Sequence, residues 1–409
     1  MVLQGESSQM VMPFRLIRSQ PIELLVPVLV CFAFSSCGRR SETVDRTFEN
    51  GIEIVHNHLV PYRVAGEPAE LVLDEEFRID TESAELAAAG LSDIRSFDVD
   101  SRGFIYAVQS PRKAEFLLLQ FDDRGGLRKA FGRKGQGPGE LQWPTLFNVN
   151  SRDEFMVWDG LARRLHVYNR DGGLVRESSP EKSQAVGLPL ENGSYLVRRS
   201  LERPDGGSDG VAVDLVGPDF AMRKTIHTFR SPNRPPPSVR NDAYPPLVVF
   251  ETTADRIFLG WPETGYEILV FDLEGRLIRK IRKEFSSIPV SSAEKGALLA
   301  KVTAGPYPDP EKINFPVHKP PFQYFFADEK GRLFVVTTER DKETGQNICD
   351  IFNRDGLLVG RTPIGWFDIF RQYWELLRLD VVANDGRLYV LGEKESGFKE
   401  LIVYRAVWR

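Results

Sequence analysis

The chain has 409 residues, 42% hydrophobic and 27% charged, so it is long enough for a sizeable core and is not predominantly disordered. Its formal net charge of −5 gives no overall excess of positive charge for binding nucleic acid. Three cysteines exclude a disulfide framework, whereas 34 glycines and 27 prolines indicate many turns.

Residues 1–36 are predicted to be a secretory signal peptide. Arg15 and Arg18 precede an apolar run over residues 24–34. That run is shorter than the roughly 20 residues that a membrane-spanning helix needs, and it suits the apolar region of a secretory signal. Three methionines are alternative starts: Met1, Met10 and Met12.

The leader ends in Phe34-Ser-Ser-Cys37-Gly38, which resembles the lipobox of bacterial lipoproteins. The resemblance implies that Cys37 becomes the acylated first residue of the mature chain. It also implies, since Gly38 follows the cysteine, an outer-membrane protein that faces the periplasm or the exterior. The alternative is an ordinary signal peptide with an incidental cysteine. Residues 37–50 are polar and are predicted to be a tether. Cys349 is then the single cysteine of the folded body, and it is expected to be buried without a partner.

A short unit recurs six times in the mature chain: an acidic or Asn turn, often with Gly, followed by an apolar and aromatic run. The six copies are residues 100–108, 151–158, 191–197, 253–259, 328–336 and 384–391.

A second unit follows most of these copies, with an aromatic residue, Asp or Asn, then Gly and Leu. Its copies are residues 121–127, 168–174, 271–277 and 352–358, with a weaker copy at 213–220. Asp/Asn-x-x-Gly supplies the positive-φ residue of a tight hairpin, so each pair of units predicts a four-stranded antiparallel sheet.

The apolar runs are nearly continuous, so both faces of every sheet must be buried. Stacking such sheets around an axis achieves this, and the sequence therefore predicts an all-β, six-bladed β-propeller over residues 51–409. The sixth copy reaches the C-terminus without its outermost strand. Residues 70–79 have a strand pattern and are predicted to pair beside residues 401–404, which would close the ring.

Residues 131–144 (FGRKGQGPGELQWP) resemble the GxxGxGPGEFxxP signature of NHL-type six-bladed propellers, in particular bacterial lipoproteins of the six-bladed propeller family. The resemblance implies a lipid-anchored or secreted propeller. A phosphate-binding loop is the alternative, but it requires a following helix, whereas Pro138 and a strand follow here. We therefore expect a tight connection between blades, with Arg133, Lys134 and Gln136 as candidate residues of a ligand face.

Two proline-rich insertions are predicted, near residues 225–250 and 285–322, and the second includes a short helix at 291–303. Long loops in a compact fold are commonly binding loops or lids, and the alternative is inert decoration. An aromatic cluster over residues 366–377 is expected to pack between blades five and six, with a ligand platform as the alternative. His56 and His58 could bring two imidazoles together, but no third metal ligand lies nearby in the sequence.

The sequence is compatible with two alternative functions. The first is a lipid-anchored, monomeric propeller of the cell envelope that binds a protein, peptide or glycan and contacts the membrane through Cys37. The second is a propeller enzyme of lactonase, lyase or hydrolase type with a divalent metal in its central channel, where Asp98 and Asp100 are candidate acids. The sequence contains no recognisable catalytic motif, so no catalytic, metal-binding or cofactor-binding residue is assigned and the sequence favours binding.

Overall fold

The structure of the protein is a computed structural model. It describes residues 44–67, 70–91, 93–110, 114–179, 187–204, 207–234, 241–244, 247–303, 313–366 and 381–409. Residues 44–409 belong to one compact unit.

The described chain begins with three strands and a short helix that precede the first blade. They are β1 (Asp45–Glu49), β2 (Ile52–Asn57), β3 (Leu71–Asp80) and α1 (Ala84–Ala88). Strand β1 occupies residues that the sequence pattern assigned to the tether. Its side chains are all exposed, so the hydrophobic pattern that reveals other strands is missing here.

Six four-stranded antiparallel units follow in chain order and form the blades, each beginning with its innermost strand. Blade one contains β4 (Ile94–Val99), β5 (Ile105–Gln109), β6 (Phe116–Phe121) and β7 (Leu127–Arg133). Blade two contains β8 (Pro144–Val149), β9 (Phe155–Asp159), β10 (Arg164–Tyr168) and β11 (Leu174–Ser178). Blade three contains β12 (Leu188–Pro189), β13 (Tyr195–Glu202), β14 (Ser208–Val216) and β15 (Met222–Arg234), and is followed by β16 (Asn241–Asp242).

The second half of the ring repeats this order. Blade four contains β17 (Val249–Thr252), β18 (Ile257–Gly260), β19 (Glu267–Phe271) and β20 (Leu277–Lys283), with a 3-10 turn at Pro262–Thr264. Helix α2 (Ser292–Thr303) and β21 (Ile313–Asn314) come next. Blade five contains β22 (Phe322–Ala327), β23 (Leu333–Arg340), β24 (Asn347–Phe352) and β25 (Leu358–Ile364). Blade six contains β26 (Val381–Asn384), β27 (Arg387–Glu393), β28 (Lys399–Trp408) and the N-terminal strand β3.

The predicted ring closure is confirmed. Strand β3 lies antiparallel to β28, with Ile79 opposite Leu401 and Phe77 opposite Val403. The first and last strands of the propeller therefore share one sheet, and β28 gains the outer neighbour that the C-terminal part of the chain does not supply.

The core is divided among the interfaces between blades. Six clusters of buried side chains lie between successive blades, from blades one and two around to blades six and one. Both faces of the blades are thus covered, as the continuous apolar runs predict.

Because the strands of a blade are antiparallel, its connections alternate between two ends. Turns between the first and second and between the third and fourth strands leave from one end, which we call the turn end. Connections between the second and third strands and from blade to blade leave from the other, the connection end. Both repeated units of the sequence form turns at the turn end, and all the long connections leave from the connection end.

The two insertions meet at the connection end. Strands β16 and β21 pair in parallel, and the Ala243 amide donates to the Asn314 carbonyl at 2.9 Å. Ala243 and Leu298 of α2 form a small buried cluster with neighbouring aromatic side chains. The first insertion is shorter than expected, because β15 continues to Arg234 within the region assigned to it.

Blade four carries two additional strands. Strand β2 pairs in parallel with β20, and β1 pairs antiparallel with β2, which extends this sheet to six strands. The Tyr62 amide then donates to the Leu358 carbonyl of blade five at 2.8 Å. The N-terminal segment therefore passes from blade four along blade five to close the ring in blade six.

The glycines of the second repeated unit have two roles. In blade one, Asp122 accepts hydrogen bonds from the amides of Arg124 (3.0 Å) and Gly126 (2.8 Å), while Gly125 has a φ of 85°. A β-carbon at Gly125, Gly172, Gly275 or Gly356 would also press on a side chain of the preceding blade. Each of these glycines therefore permits both the turn and the approach of the neighbouring blade.

The weaker copy in blade three follows a different register. Gly217 accepts the hydrogen bond from the Phe220 amide at 2.9 Å, so Gly217 takes the place that Asp122 has in blade one. Phe220 then occupies the left-handed position, with a φ of 61°, and its ring stacks on Tyr195 with centroids 5.0 Å apart. The ring contact offsets part of the conformational cost of a non-glycine residue there.

We expect Gly275→Ala to cost more stability than Gly386→Ala, although both glycines have φ near 70° (72° and 70°). A β-carbon added at Gly386 would meet no neighbour within 4 Å, so alanine there adds the left-handed penalty alone, about 1–2 kcal/mol. A β-carbon at Gly275 would overlap Ile226, which adds about 1–3 kcal/mol of overpacking. Denaturant unfolding measures both variants, and equal losses would contradict the interface role of Gly275.

Candidate functional site

The central channel holds a cavity at its turn end, where all six innermost strands finish. Its volume is about 220 Å³, and each blade contributes to the wall. Acidic and amide side chains from four blades are among the residues that line it: Asp98, Asn148, Glu251 and Asn384. Thr252, aliphatic residues and Phe326 complete the wall, and the accessible lining is more polar than apolar, so several polar groups converge on a small enclosed space.

Asp98 projects from the end of β4 into this cavity and bridges two blades. One carboxylate oxygen accepts the Val99 amide at 2.8 Å, and the other accepts the Val149 amide of blade two at 2.7 Å. Burial raises the pKa of Asp98 to about 7, although both amide hydrogen bonds act in the opposite direction. The carboxyl is therefore poised to exchange a proton near neutral pH.

Glu251 belongs to the same cavity from the end of β17 in blade four. Its Oε1 accepts the Thr252 amide at 2.7 Å. Burial raises the pKa of Glu251 to about 8, the Thr252 amide lowers it, and the negative charge of Asp98 raises it further. Asp98 and Glu251 are thus an interacting acid pair, in which the first proton lost disfavours loss of the second.

The structure separates the two acids that the sequence pattern grouped together. Asp98 lines the channel, whereas Asp100 lies in the following turn. Asp100 accepts hydrogen bonds from the amides of Arg102 (2.9 Å) and Phe104 (3.0 Å) and from the Tyr106 hydroxyl (3.2 Å). Asp100 therefore stabilises the turn between β4 and β5.

Sequence reasoning missed Glu251 and Asn148, although a signal for them was present. The channel residue lies two positions before the first residue of each recurring turn, as Asp98 lies two positions before Asp100. The turns begin at Asp100, Asn150, Leu190, Thr253, Asp328 and Asn384, so these positions are Asp98, Asn148, Leu188, Glu251, Phe326 and Val382, and all six line the cavity. An alignment of the repeats at their turns identifies this ring without a structure.

The oxygen atoms that line the channel include some, but not all, of the ligands that a cation such as calcium needs. Carboxylate and amide oxygens are ligands that calcium prefers, and Asp98, Glu251 and Asn148 provide them. Among the described residues, however, no group of three or more His, Cys, Asp and Glu side chains is placed to hold a metal ion. A cation here would depend on amide or carbonyl oxygens in addition to the two acids.

The glycine-rich signature forms the connection between blades one and two. Glu140 accepts the Gly137 amide at 2.9 Å, and Glu177 of β11 accepts the Gly139 amide at 3.4 Å. The Tyr168 hydroxyl donates to the Gly139 carbonyl at 3.1 Å. Protein carboxylates thus occupy amides that a phosphate would need, which favours the expected structural connection over a phosphate-binding loop.

The candidate ligand-face residues Arg133, Lys134 and Gln136 are exposed at the connection end of blade one. Arg133 lies opposite Phe116 in the β6–β7 pair, and Phe116 is 37% exposed. Two further large apolar side chains are exposed on blade two nearby, Trp143 (37%) and Leu161 (67%), and the Gly160 amide binds the Trp143 carbonyl at 2.9 Å. We call these residues the signature-loop surface: Phe116, Arg133, Lys134, Gln136, Trp143 and Leu161.

A second cavity, of about 490 Å³, lies where β1, β2 and β20 come together. His56 and His58 both line it. His58 Nδ1 lies 3.1 Å from Glu284, and its Nε2 lies 3.6 Å from Asp45. His56 Nε2 is 3.4 Å from the Thr47 hydroxyl. Since His58 has its two nitrogens directed to different carboxylates, it links β1 to the residues that follow β20, and the arrangement is not that of a metal site.

Two remaining expectations have different outcomes. Cys349 is buried in β24 and is the one free cysteine in the described residues, and burial raises the pKa of its thiol. Of the aromatic cluster, Trp366 packs against the core between blades five and six, with its ring 6.1 Å from Phe326. The rest of that cluster, residues 367–377, lies outside the described residues.

Neither helix in the described part of the chain is long and apolar enough to cross a membrane. No protein-family model matches the sequence, and no curated protein matches it.

Solved structures similar to this chain share its fold. A member of the DUF4221 family from Bacteroides vulgatus superposes with a TM-score of 0.50 at 12% identity, covering 84% of this chain and 100% of the other. A protein from Bacteroides fragilis described as exported has a TM-score of 0.49 at 14% identity, covering 87% and 99%. A gluconolactonase from Xanthomonas campestris has a TM-score of 0.39 at 12% identity, covering 84% and 99%. The chain is a six-bladed β-propeller, and at these identities the likeness concerns the fold alone.

Proposed function

We propose that this protein is a lipid-anchored propeller of the cell envelope that binds a protein, peptide or glycan through its signature-loop surface. The distribution of exposed apolar side chains carries the proposal. Apart from Leu174 and Met222, which directly follow turns of the turn end, the large exposed hydrophobic residues in the described chain lie on outer strands or away from those turns. Phe116, Trp143 and Leu161 are instead grouped at the connection end of blades one and two, and such exposed apolar groups mark interaction sites.

The chemistry around these side chains favours a ligand with acidic groups. The Arg133 side chain is 63% exposed, and its ion pair with Glu115 is long, at 3.6 Å. Lys134 and Gln136 are exposed beside it. Tryptophan and arginine are enriched among the residues that dominate binding energy at interfaces. We therefore assign Trp143 as the apolar anchor and Arg133 as the group that meets negative charge.

The envelope location rests on Cys37 and the apolar leader before it. Acylation of Cys37 would attach more than one lipid chain, which is enough for stable membrane attachment. Gly38 after the cysteine favours the outer membrane, by resemblance to bacterial lipoproteins.

We expect Trp143→Ala combined with Leu161→Ser to abolish binding while the fold is kept. Immobilised mature protein should capture a ligand from envelope extracts of its native host, and the double variant should retain about a tenth or less of it, since anchor residues often contribute 2 kcal/mol or more. Met222→Ser is the matched control, because Met222 is 58% exposed on the outermost strand of blade three. Equal capture by both variants would contradict the assignment.

A second candidate function, a metal-dependent enzyme, is supported by the acid pair in the channel. Asp98 and Glu251, together with Asn148, would hold the ion, and a bound divalent metal would supply Lewis-acid chemistry there. Elemental analysis of purified protein tests this candidate. Calcium or zinc that is lost on Glu251→Gln would support it, and metal-free protein with full thermal stability would count against it.

A further inference from the structure

The described chain starts at a defined place on the propeller. Strand β1 begins with Asp45, which lies opposite His56 of β2, and His56 lies opposite Arg282 of β20. Arg282 is close to the end of the outermost strand of blade four, from which the connection to blade five leaves. The chain therefore enters the fold at the connection end of blade four.

Cys37 is only seven residues before Val44, the first described residue. Even a fully extended chain of that length spans no more than about 25 Å. A lipid attached to Cys37 would thus hold blade four close to the bilayer, whereas the opposite side of the ring is free to lie further away.

Exposed apolar side chains surround this entry point. Leu59 (42%) and Val60 (60%) follow β2, and Phe285 (42%) follows β20. The two segments are joined, because the Glu284 amide donates to the Asn57 carbonyl at 2.9 Å. We call Leu59, Val60 and Phe285 the anchor-side patch.

We propose that the anchor-side patch rests on the lipid surface to which Cys37 is attached, so that blade four faces the membrane. This inference depends on the lipid anchor in the proposed function. Exposed apolar residues at loop tips can enter the boundary between headgroups and acyl chains, and a second contact strengthens the attachment that acyl chains provide. Acidic and basic side chains lie together beside the patch, Asp45 and Glu284 with Arg46 and Arg282, so charge of one sign does not dominate and the proposed contact is apolar.

This orientation keeps the signature-loop surface accessible. In a ring of six, blade one lies across the axis from blade four, and blade two lies across from blade five. Phe116 and Arg133 on blade one and Trp143 and Leu161 on blade two are therefore on the side away from the anchor. Membrane contact and ligand binding then use opposite sides of the ring.

Hydrogen–deuterium exchange on chemically tethered protein tests the proposal. The mature chain from Cys37 is coupled through that thiol to a maleimide phospholipid in phosphatidylcholine vesicles, while Cys349 is buried and protected from coupling. The reference is the same protein capped with a soluble maleimide. We expect slower exchange on vesicles at residues 58–60 and 285–290, unchanged in high salt, and no change at residues 160–162.

Two variants test whether the anchor-side patch itself causes the protection. Leu59→Ser combined with Phe285→Ser should remove the vesicle-dependent protection, whereas Leu161→Ser should leave it intact. If vesicles do not protect the anchor-side patch in the tethered wild type, the proposal is overturned.

The anchor itself is tested separately, because chemical coupling does not depend on acylation in the cell. Cys37→Ser protein that still partitions with membrane proteins in detergent would overturn the lipid anchor. The vesicle experiment would still decide whether the anchor-side patch contacts lipid when the chain is held at Cys37.

Discussion

Replacing Asp350 with alanine is expected to lower the free energy of unfolding by about 3–5 kcal/mol, because it leaves buried positive charge without a partner. Asp350 and Lys283 are both fully buried at the interface of blades four and five, with Lys283 Nζ 3.3 Å from the carboxylate. Asp350 also accepts hydrogen bonds from the Tyr266 hydroxyl (2.7 Å) and Arg361 Nε (2.6 Å). One carboxylate therefore satisfies three donors from two blades.

The side chains around Asp350 depend on its negative charge to different degrees. Burial raises the pKa of the Tyr266 hydroxyl well above its usual range, and the Asp350 carboxylate raises it further, so Tyr266 stays a donor. Arg361 also donates a hydrogen bond to a second acid, Glu339, at 2.7 Å. The other hydrogen bond of Lys283 goes to the backbone carbonyl of Glu284, at 3.2 Å, and that carbonyl carries no charge. Most of the expected loss therefore arises from Lys283.

Denaturant unfolding with two comparison variants tests this explanation. Asp255→Ala removes an exposed ion pair with Arg354, with the side chains 49% and 54% exposed, and should cost at most about 1 kcal/mol. Adding Lys283→Met to Asp350→Ala should recover part of the loss, because the unpaired charge is then removed. A loss from Asp350→Ala no larger than that from Asp255→Ala would contradict the buried network.

Glu251→Gln is expected to stabilise the protein at pH 8 by about 1–3 kcal/mol and to have little effect at pH 5. The folded-state pKa values of Asp98 and Glu251, about 7 and about 8, exceed their ordinary values of 3.8 and 4.5. Between about pH 4 and 8 the folded protein therefore binds more protons than the unfolded chain. Stability contributed by the neutral acids is present below that window and is lost as pH rises through the folded pKa values.

Glutamine cannot lose a proton and its side-chain oxygen can still accept the Thr252 amide, so the variant should show a weaker decline of stability from about pH 5 to about pH 8. Thermal unfolding across this range measures the effect, and Glu274→Gln on an exposed turn is the control. A channel metal would reverse the sign, because deprotonated acids would then hold the cation. Destabilisation by Glu251→Gln at pH 8 would therefore support the metal-dependent alternative.

The repeated turns explain how the fold could be predicted. Asp122 and Gly125 act within a few residues of each other, so their chemistry is visible in the sequence, and six copies imply six blades. Strand β1 shows the limit of that approach. Asp45–Glu49 is exposed along its length and has no apolar alternation, and its strand conformation depends on pairing with β2, which is itself held by β20.

The channel shows a second limit. Asp98 and Glu251 are 153 positions apart in the sequence and belong to opposite blades, so neither forms a local motif. Their common position before the turn becomes evident only when the repeats are aligned. Their raised pKa values require the burial that the closed ring supplies.

The sequence by itself determined the hairpins and the number of blades, because turn chemistry and apolar periodicity act over a few residues. It also determined the pairing of residues 70–79 with the C-terminal strand, since one blade lacked a strand and one strand lacked a blade. The tertiary structure decided which side chains meet in the channel, where the polar N-terminal segment docks and which apolar residues stay exposed. Those outcomes depend on ring closure, which brings distant residues together and sets the burial that each of them experiences.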